Sequence, residues 1–145
     1  MKKVVFVCLG NICRSPMAEF VMKSLTDDYE IESRATSSWE HGNPIHKGTQ
    51  KIFKAHEIPY DSSKTSQQIS KKDFEYFDYI IGMDESNLLD LTQMCPQDQQ
   101  HKLEAFASEG VPDPWYTGDF DETYDRVLTG CKAWLTRLEN EAKNG

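Results

Sequence analysis

The residues best placed to do chemistry lie near the start of the chain, in Cys8-Leu9-Gly10-Asn11-Ile12-Cys13-Arg14-Ser15, where a cysteine and an arginine are separated by five residues and a serine follows at once. A loop of this length, leading from a strand into a helix, can aim several backbone N–H groups at one point. Gly10 and Asn11 both tolerate the positive φ that such a curl needs. The dipole of the following helix adds partial positive charge, and the result is a cradle for a phosphate dianion, with backbone donors contributed by Leu9, Gly10, Asn11, Ile12 and Cys13. Arg14 can add a bidentate pair of hydrogen bonds to two phosphate oxygens. The same field favours a thiolate over a thiol at the bottom of the cradle, and the Ser15 hydroxyl is within sequence reach to donate to that sulfur. One loop would then supply both a nucleophile, Cys8, and stabilisation of the charge that develops during transfer. The plain alternative is a buried core thiol followed by an ordinary turn. Neither G-x-x-x-x-G-K-[ST] nor G-x-G-x-x-G occurs.

A thiolate that displaces a phenolic oxygen needs an acid on the opposite side to protonate it. Asp113, in Val111-Pro112-Asp113-Pro114-Trp115-Tyr116, is the best candidate. Its flanking prolines restrict the backbone, and Trp115 and Tyr116 can form an apolar wall for an aromatic group. From these residues alone, an ordinary turn aspartate accounts for the segment equally well.

The elements that must position these groups follow from the apolar pattern. Residues 4–7 form a continuous β-branched and aromatic run, as in a strand buried on both faces. Ser15 is expected to cap a helix with Pro16 at its first position and Glu19 in its first turn, and Met17, Phe20, Val21 and Leu25 make its apolar face. Further strands are expected over 30–36, 79–83 and 102–106. Helices are expected over 48–56, 71–76, 85–91 and 120–140, and loops over 37–47, 62–70 and 108–118. Strands alternating with helices predict an α/β domain with a parallel sheet covered on both faces, and ligands in such sheets sit at the carboxyl ends of the strands. No repeat or linker interrupts the chain, so residues 1–145 read as a single domain.

The net charge of −8 argues against nucleic acid or an anionic membrane as partner. No apolar run reaches the roughly 18 residues needed to span a bilayer, and the opening run is too short for a signal peptide, so a cytoplasmic protein is expected. Cys8, Cys13, Cys95 and Cys131 do not suggest a disulfide framework, and Cys95 and Cys131 read as structural. His41, His46, His56 and His101 lack metal-ligand spacing and read as surface residues, and neither a metal nor a cofactor is expected. Asp84 follows a predicted strand and reads as a helix cap or anchor near the phosphate loop.

The segment Val7 to Glu19 resembles the signature of the low-molecular-weight protein tyrosine phosphatases. The resemblance continues through Thr36-Ser37-Ser38-Trp39, Asp73-Phe74, Phe77-Asp78-Tyr79-Ile80, Met83-Asp84-Glu85-Ser86-Asn87 and the segment around Asp113, and so covers nearly the whole chain. It implies a four-stranded parallel sheet of flavodoxin-like order 2-1-3-4 with helices on both faces. It implies hydrolysis of phosphotyrosine on proteins without a metal; a monomer is expected. Cys8 would form a phosphocysteine, Arg14 would hold the phosphoryl oxygens, and Asp113 would protonate the leaving oxygen and then activate water. Asn11 would shape the loop with support from Ser37, Ser15 would stabilise the thiolate, and Trp39, Trp115 and Tyr116 would line the cleft. Cys13 would pair reversibly with Cys8 on oxidation. The chain departs from the family's pattern in several places. Ala35 stands where glycine is usual, with Arg34 beside it, and Trp115 stands where tyrosine is usual. Lys64 to Gln68 replaces a segment that often carries histidine and arginine, so support of the phosphate loop from that side is not implied. Two other readings remain at this level: an arsenate reductase of the same fold, which would need further relay cysteines, and a phosphate-binding module without turnover.

Overall fold

The first strand forms where the sequence is most continuously apolar. In the computed structural model, which describes residues 1–144, β1 is Lys3–Cys8, and Val4, Val5, Phe6 and Val7 are wholly buried. Burying each such side chain contributes roughly 1.5–3 kcal/mol, which requires neighbouring strands and a helix layer on each face. The other strands are β2 (Glu30–Ala35), β3 (Tyr79–Gly82) and β4 (Leu103–Ala105). They make one parallel sheet of order β2-β1-β3-β4, the α/β architecture that the alternating pattern predicts and the strand order that the family resemblance implies.

Among the described residues the helices are α1 (Arg14–Leu25), α2 (Lys47–Ala55), α3 (Lys71–Tyr76), α4 (Glu85–Met94), α5 (Pro114–Thr117) and α6 (Phe120–Asn144). The period-2 alternation of β1 divides the core between the two faces. Val4, Phe6 and Cys8 pack with Met17 and Val21 of α1, Phe53 of α2, and Val127 and Trp134 of α6. Val5 and Val7 pack with Phe74 of α3 and Leu91 of α4. The α6 backbone lies so close to Phe106 that a Cβ on Gly130 would fall 2.2 Å from that ring.

The chain leaves β1 toward β2 on one side and returns to β3 on the other. The carboxyl ends of β1 and β3 therefore open a crevice between diverging connections, where ligands bind in sheets of this kind. The loop after Cys8 and the residues after Gly82 both lie there.

Several local expectations need correction. Ser15 is not the cap of α1: the helix begins at Arg14, with Cys13 at the cap position and no side-chain capping bond. Glu19 does not lie in the first turn of α1, which carries no acidic residue, and it is buried. The segment over 108–118 is not all loop, because it contains α5, and a 3₁₀ turn at Gln97–Lys102 shortens β4.

Candidate active site

The loop after β1 closes around a sulfur atom. Cys8 Sγ accepts the Asn11 backbone N–H at 3.2 Å and lies 3.0 Å from Ser15 Oγ. Ser15 Oγ also accepts Asn11 Nδ2 at 2.8 Å, so its own hydrogen goes either to the sulfur or to the Arg34 carbonyl, 3.3 Å away. Asn11 takes the left-handed conformation, φ 56°, that the curl demands and asparagine tolerates. Its side chain is clamped on every side: Nδ2 donates to Ser15 and to Ser33 Oγ at 3.0 Å, and Oδ1 accepts the Gln67 N–H at 3.1 Å.

The support behind Asn11 comes from Ser33, not from Ser37. Ser33, on β2, points inward because its register partner is Phe6. It passes its hydrogen on to Glu19 Oε1 at 2.6 Å. Ser37 lies beyond the strand end and instead donates to the Leu9 carbonyl at 2.8 Å. The departure at Lys64 to Gln68 does not leave the loop unsupported. Ser66 Oγ donates to the Gly10 carbonyl at 2.7 Å, beside the Gln67 contact. Lys64 Nζ lies 3.7 Å from Glu19 Oε1. Burial pulls the Lys64 pKa down, against the opposing pull of Glu19.

Arg14 is 3% exposed and reaches both other loops of the crevice. One guanidinium nitrogen donates to Asp84 Oδ2 at 2.6 Å and to the Val111 carbonyl at 3.0 Å, and the other lies 3.4 Å from Asp113 Oδ2. Burial alone would lower the arginine's pKa, but Cys8, Asp84 and Asp113 outweigh it and hold it above the usual value. Asp84 is both a cap of α4, accepting the Asn87 N–H at 2.7 Å, and an anchor for Arg14. Asp113 likewise caps α5 through the Trp115 N–H at 3.0 Å, so it is a turn residue and still faces the arginine.

These groups surround one cavity of about 120 Å³. Cys8, Leu9, Gly10, Asn11, Ile12, Cys13 and Arg14 form its base, and Asp113, Trp39, Trp115 and Tyr116 form its walls. The three aromatic side chains are 77%, 58% and 76% exposed, an apolar rim over a cationic floor. Glu40 also lines the cavity, although nothing in its local sequence marks it. Burial, with Cys8 and Asp113 next in effect, pushes the Cys13 thiol far up, so Cys13 stays protonated beside Cys8. Cys131 lies in the core behind α1 and Cys95 in the opposite core, and neither lines the cavity. His46 is not a surface histidine: it is half-buried and touches Phe120 and Trp115. Among the described residues no cluster of His, Cys, Asp and Glu is arranged to hold a metal ion, and no helix is long and apolar enough to cross a membrane.

Residues 3–144 match the family model of low molecular weight phosphotyrosine protein phosphatases. The chain is 45% identical to the low molecular weight protein-tyrosine-phosphatase PtpA of Staphylococcus aureus, over 98% of this chain and 97% of the relative. It superposes on SP-PTP, a low molecular weight protein tyrosine phosphatase from Streptococcus pyogenes, with TM-score 0.91 and 59% identity, covering 95% and 93% of the two chains. It also superposes on DARP, a Drosophila arginine phosphatase, with TM-score 0.86 and 33% identity, covering 95% and 98%.

Proposed function

The chain belongs to the low molecular weight phosphotyrosine protein phosphatases, and from that premise we propose that it hydrolyses phosphotyrosine on proteins through a phosphocysteine on Cys8. The observation that carries this reading is the meeting of a hydrogen-bonded sulfur, a buried guanidinium and a carboxyl around one cavity with an aromatic rim.

The dianion enters the curl of loop N–H groups and takes the Arg14 fork, which is already oriented by Asp84 and Val111. Cys8 Sγ attacks phosphorus as the bond from phosphorus to the phenolic oxygen breaks. Asp113 gives its proton to that oxygen, so tyrosine leaves neutral. In the second half Asp113 takes a proton from water, the water oxygen attacks phosphorus, the S–P bond breaks, and inorganic phosphate leaves with the thiolate restored. Trp39, Trp115 and Tyr116 hold the aryl group. The residues present supply nucleophile, charge stabilisation and proton transfer.

We read residues 1–145 as one catalytic domain acting as a monomer in the cytoplasm, with Cys13 available to form a disulfide with Cys8 on oxidation. A reductase relay finds no support, because Cys95 and Cys131 lie away from the cavity. Acid quenching during turnover of a phosphotyrosine peptide, followed by peptide mapping, tests the mechanism. Phosphate should be found on Cys8, and Cys8→Ser should abolish both the adduct and turnover. Turnover that survives in Cys8→Ser rejects the proposal.

A further inference from the structure

His46 sits between two of the segments that make the cavity, the phosphate loop and the segment carrying Trp115, without lining the cavity itself. Its backbone N–H donates to the carbonyl of Ile12 in the phosphate loop at 2.9 Å. Its Nδ1 accepts the Gly48 N–H at 2.9 Å and so caps α2, which places the hydrogen of the neutral ring on Nε2. The ring is stacked on Phe120, with centroids 5.1 Å apart at 23°, and meets Trp115 edge-on at 5.7 Å and 85°. Phe120 can lie over the first turn of α2 only because residue 48 is glycine: a Cβ there would fall 2.4 Å from the Phe120 ring.

Capping alone does not account for this ring. Asparagine, aspartate or serine would accept the Gly48 N–H at least as well. What the imidazole adds is a pair of aromatic contacts, one to α6 and one to Trp115. More than half of Trp115 is exposed, so few contacts fix its ring, while its own backbone N–H is tied to Asp113. We propose that His46 is a specificity-determining positioning residue: its ring braces Trp115 while its backbone is fixed to the phosphate loop, and this sets the spacing between the aromatic wall and the bound phosphate. The inference rests on the reading that the cavity takes an aryl phosphate. It predicts a residue that tunes recognition of the aryl group and leaves phosphate binding alone.

Two variants separate the ring from the cap. His46→Asn keeps an acceptor for Gly48 and removes the ring, whereas His46→Phe keeps a ring and removes the acceptor. KM and kcat for a phosphotyrosine peptide are measured together with the inhibition constant of inorganic phosphate. His46→Asn should raise KM by roughly 2- to 10-fold, the equivalent of one aromatic pair, with kcat and the phosphate inhibition constant unchanged. His46→Phe should keep the wild-type KM and lose thermal stability through the missing cap. A rise of KM in both variants, in neither, or in His46→Phe alone overturns the proposal, as does a parallel rise in the phosphate inhibition constant. A wild-type protein with no preference for phosphotyrosine over phosphoserine peptides overturns the functional reading itself, and this inference with it.

Discussion

Asn11 and Ser33 are joined by a 3.0 Å hydrogen bond between side chains that are both buried, and this bond links the strained residue of the phosphate loop to the edge strand of the sheet. Ser33 then donates to Glu19, so the loop conformation is held by a chain of partners that ends at Lys64. Buried polar groups in such a chain are costly to leave unpaired.

Ser33→Ala removes one of the two acceptors of Asn11 Nδ2 and the donor to Glu19 Oε1 together. Stability should fall by about 1–3 kcal/mol. Turnover should fall by about an order of magnitude as Asn11 loses its anchor to β2. Ser37→Ala, which loses only a part-buried bond to Leu9, should cost less of both. Urea titration and steady-state kinetics on the two variants check this, and an equal loss in both would contradict the assignment of support to Ser33.

Asp113→Asn removes the proton donor while leaving a side chain that can still cap α5. Turnover of phosphotyrosine should drop by roughly 10²–10⁴, and substrates whose leaving group needs no proton should be spared. Kinetics across a series of aryl phosphates test this. Losses independent of leaving-group basicity would remove Asp113 from the acid role.

Arg14→Lys keeps the charge but cannot present two parallel donors to phosphate while also reaching Asp84 and the Val111 carbonyl. Turnover should fall by roughly 10²–10³, with phosphate inhibition weakened as well. Retention of wild-type kcat/KM in this variant would show that charge alone suffices at this position.

Cys13 is buried beside Cys8, and its pKa is pushed far up, so it is not the thiol that peroxide attacks first. Cys13→Ser should keep turnover in reducing buffer. After peroxide it should recover much less activity with dithiothreitol than the wild type, because no second thiol traps the sulfenic acid on Cys8. Equal recovery of the two proteins would remove Cys13 from this protective role.

Lys64 titrates below its ordinary 10.5 in the folded chain, chiefly because of burial. Between the lowered value and 10.5 the unfolded chain holds a proton that the folded chain has released. The contribution of Lys64 to stability therefore rises with pH across that window and is lost as pH falls through the folded value. The stability difference between wild type and Lys64→Met should change in this direction in alkaline denaturant titrations. A difference that stays flat across the window would show that Lys64 is not desolvated.

The legible parts of this protein are those in which chemistry is local in the chain. A strand, a tight loop and a helix start, all within residues 3–19, bring Cys8, Asn11, Arg14 and Ser15 close together, and contacts from Ser33, Ser66 and Gln67 then hold the loop in its shape. The apolar periods likewise announce the alternating strands and helices. Asp113 stood undecided between turn and acid, and the fold makes it both a cap and a partner of Arg14, which lies 99 residues away.

What the sequence alone could not decide was which serine supports Asn11, where Glu19 points, and what His46 touches. Each depends on a contact between elements far apart in the chain. Ser33 rather than Ser37 reaches Asn11 because β2 pairs with β1 in the register that sets Ser33 beside Phe6 and Ala35 beside Cys8. The His46 ring meets Phe120 because α2 and α6 pack on the same face of the sheet, and it meets Trp115 because α5 lies just before α6 in the chain. Strand register and helix packing are settled by burying the core as a whole, and no single segment carries that information.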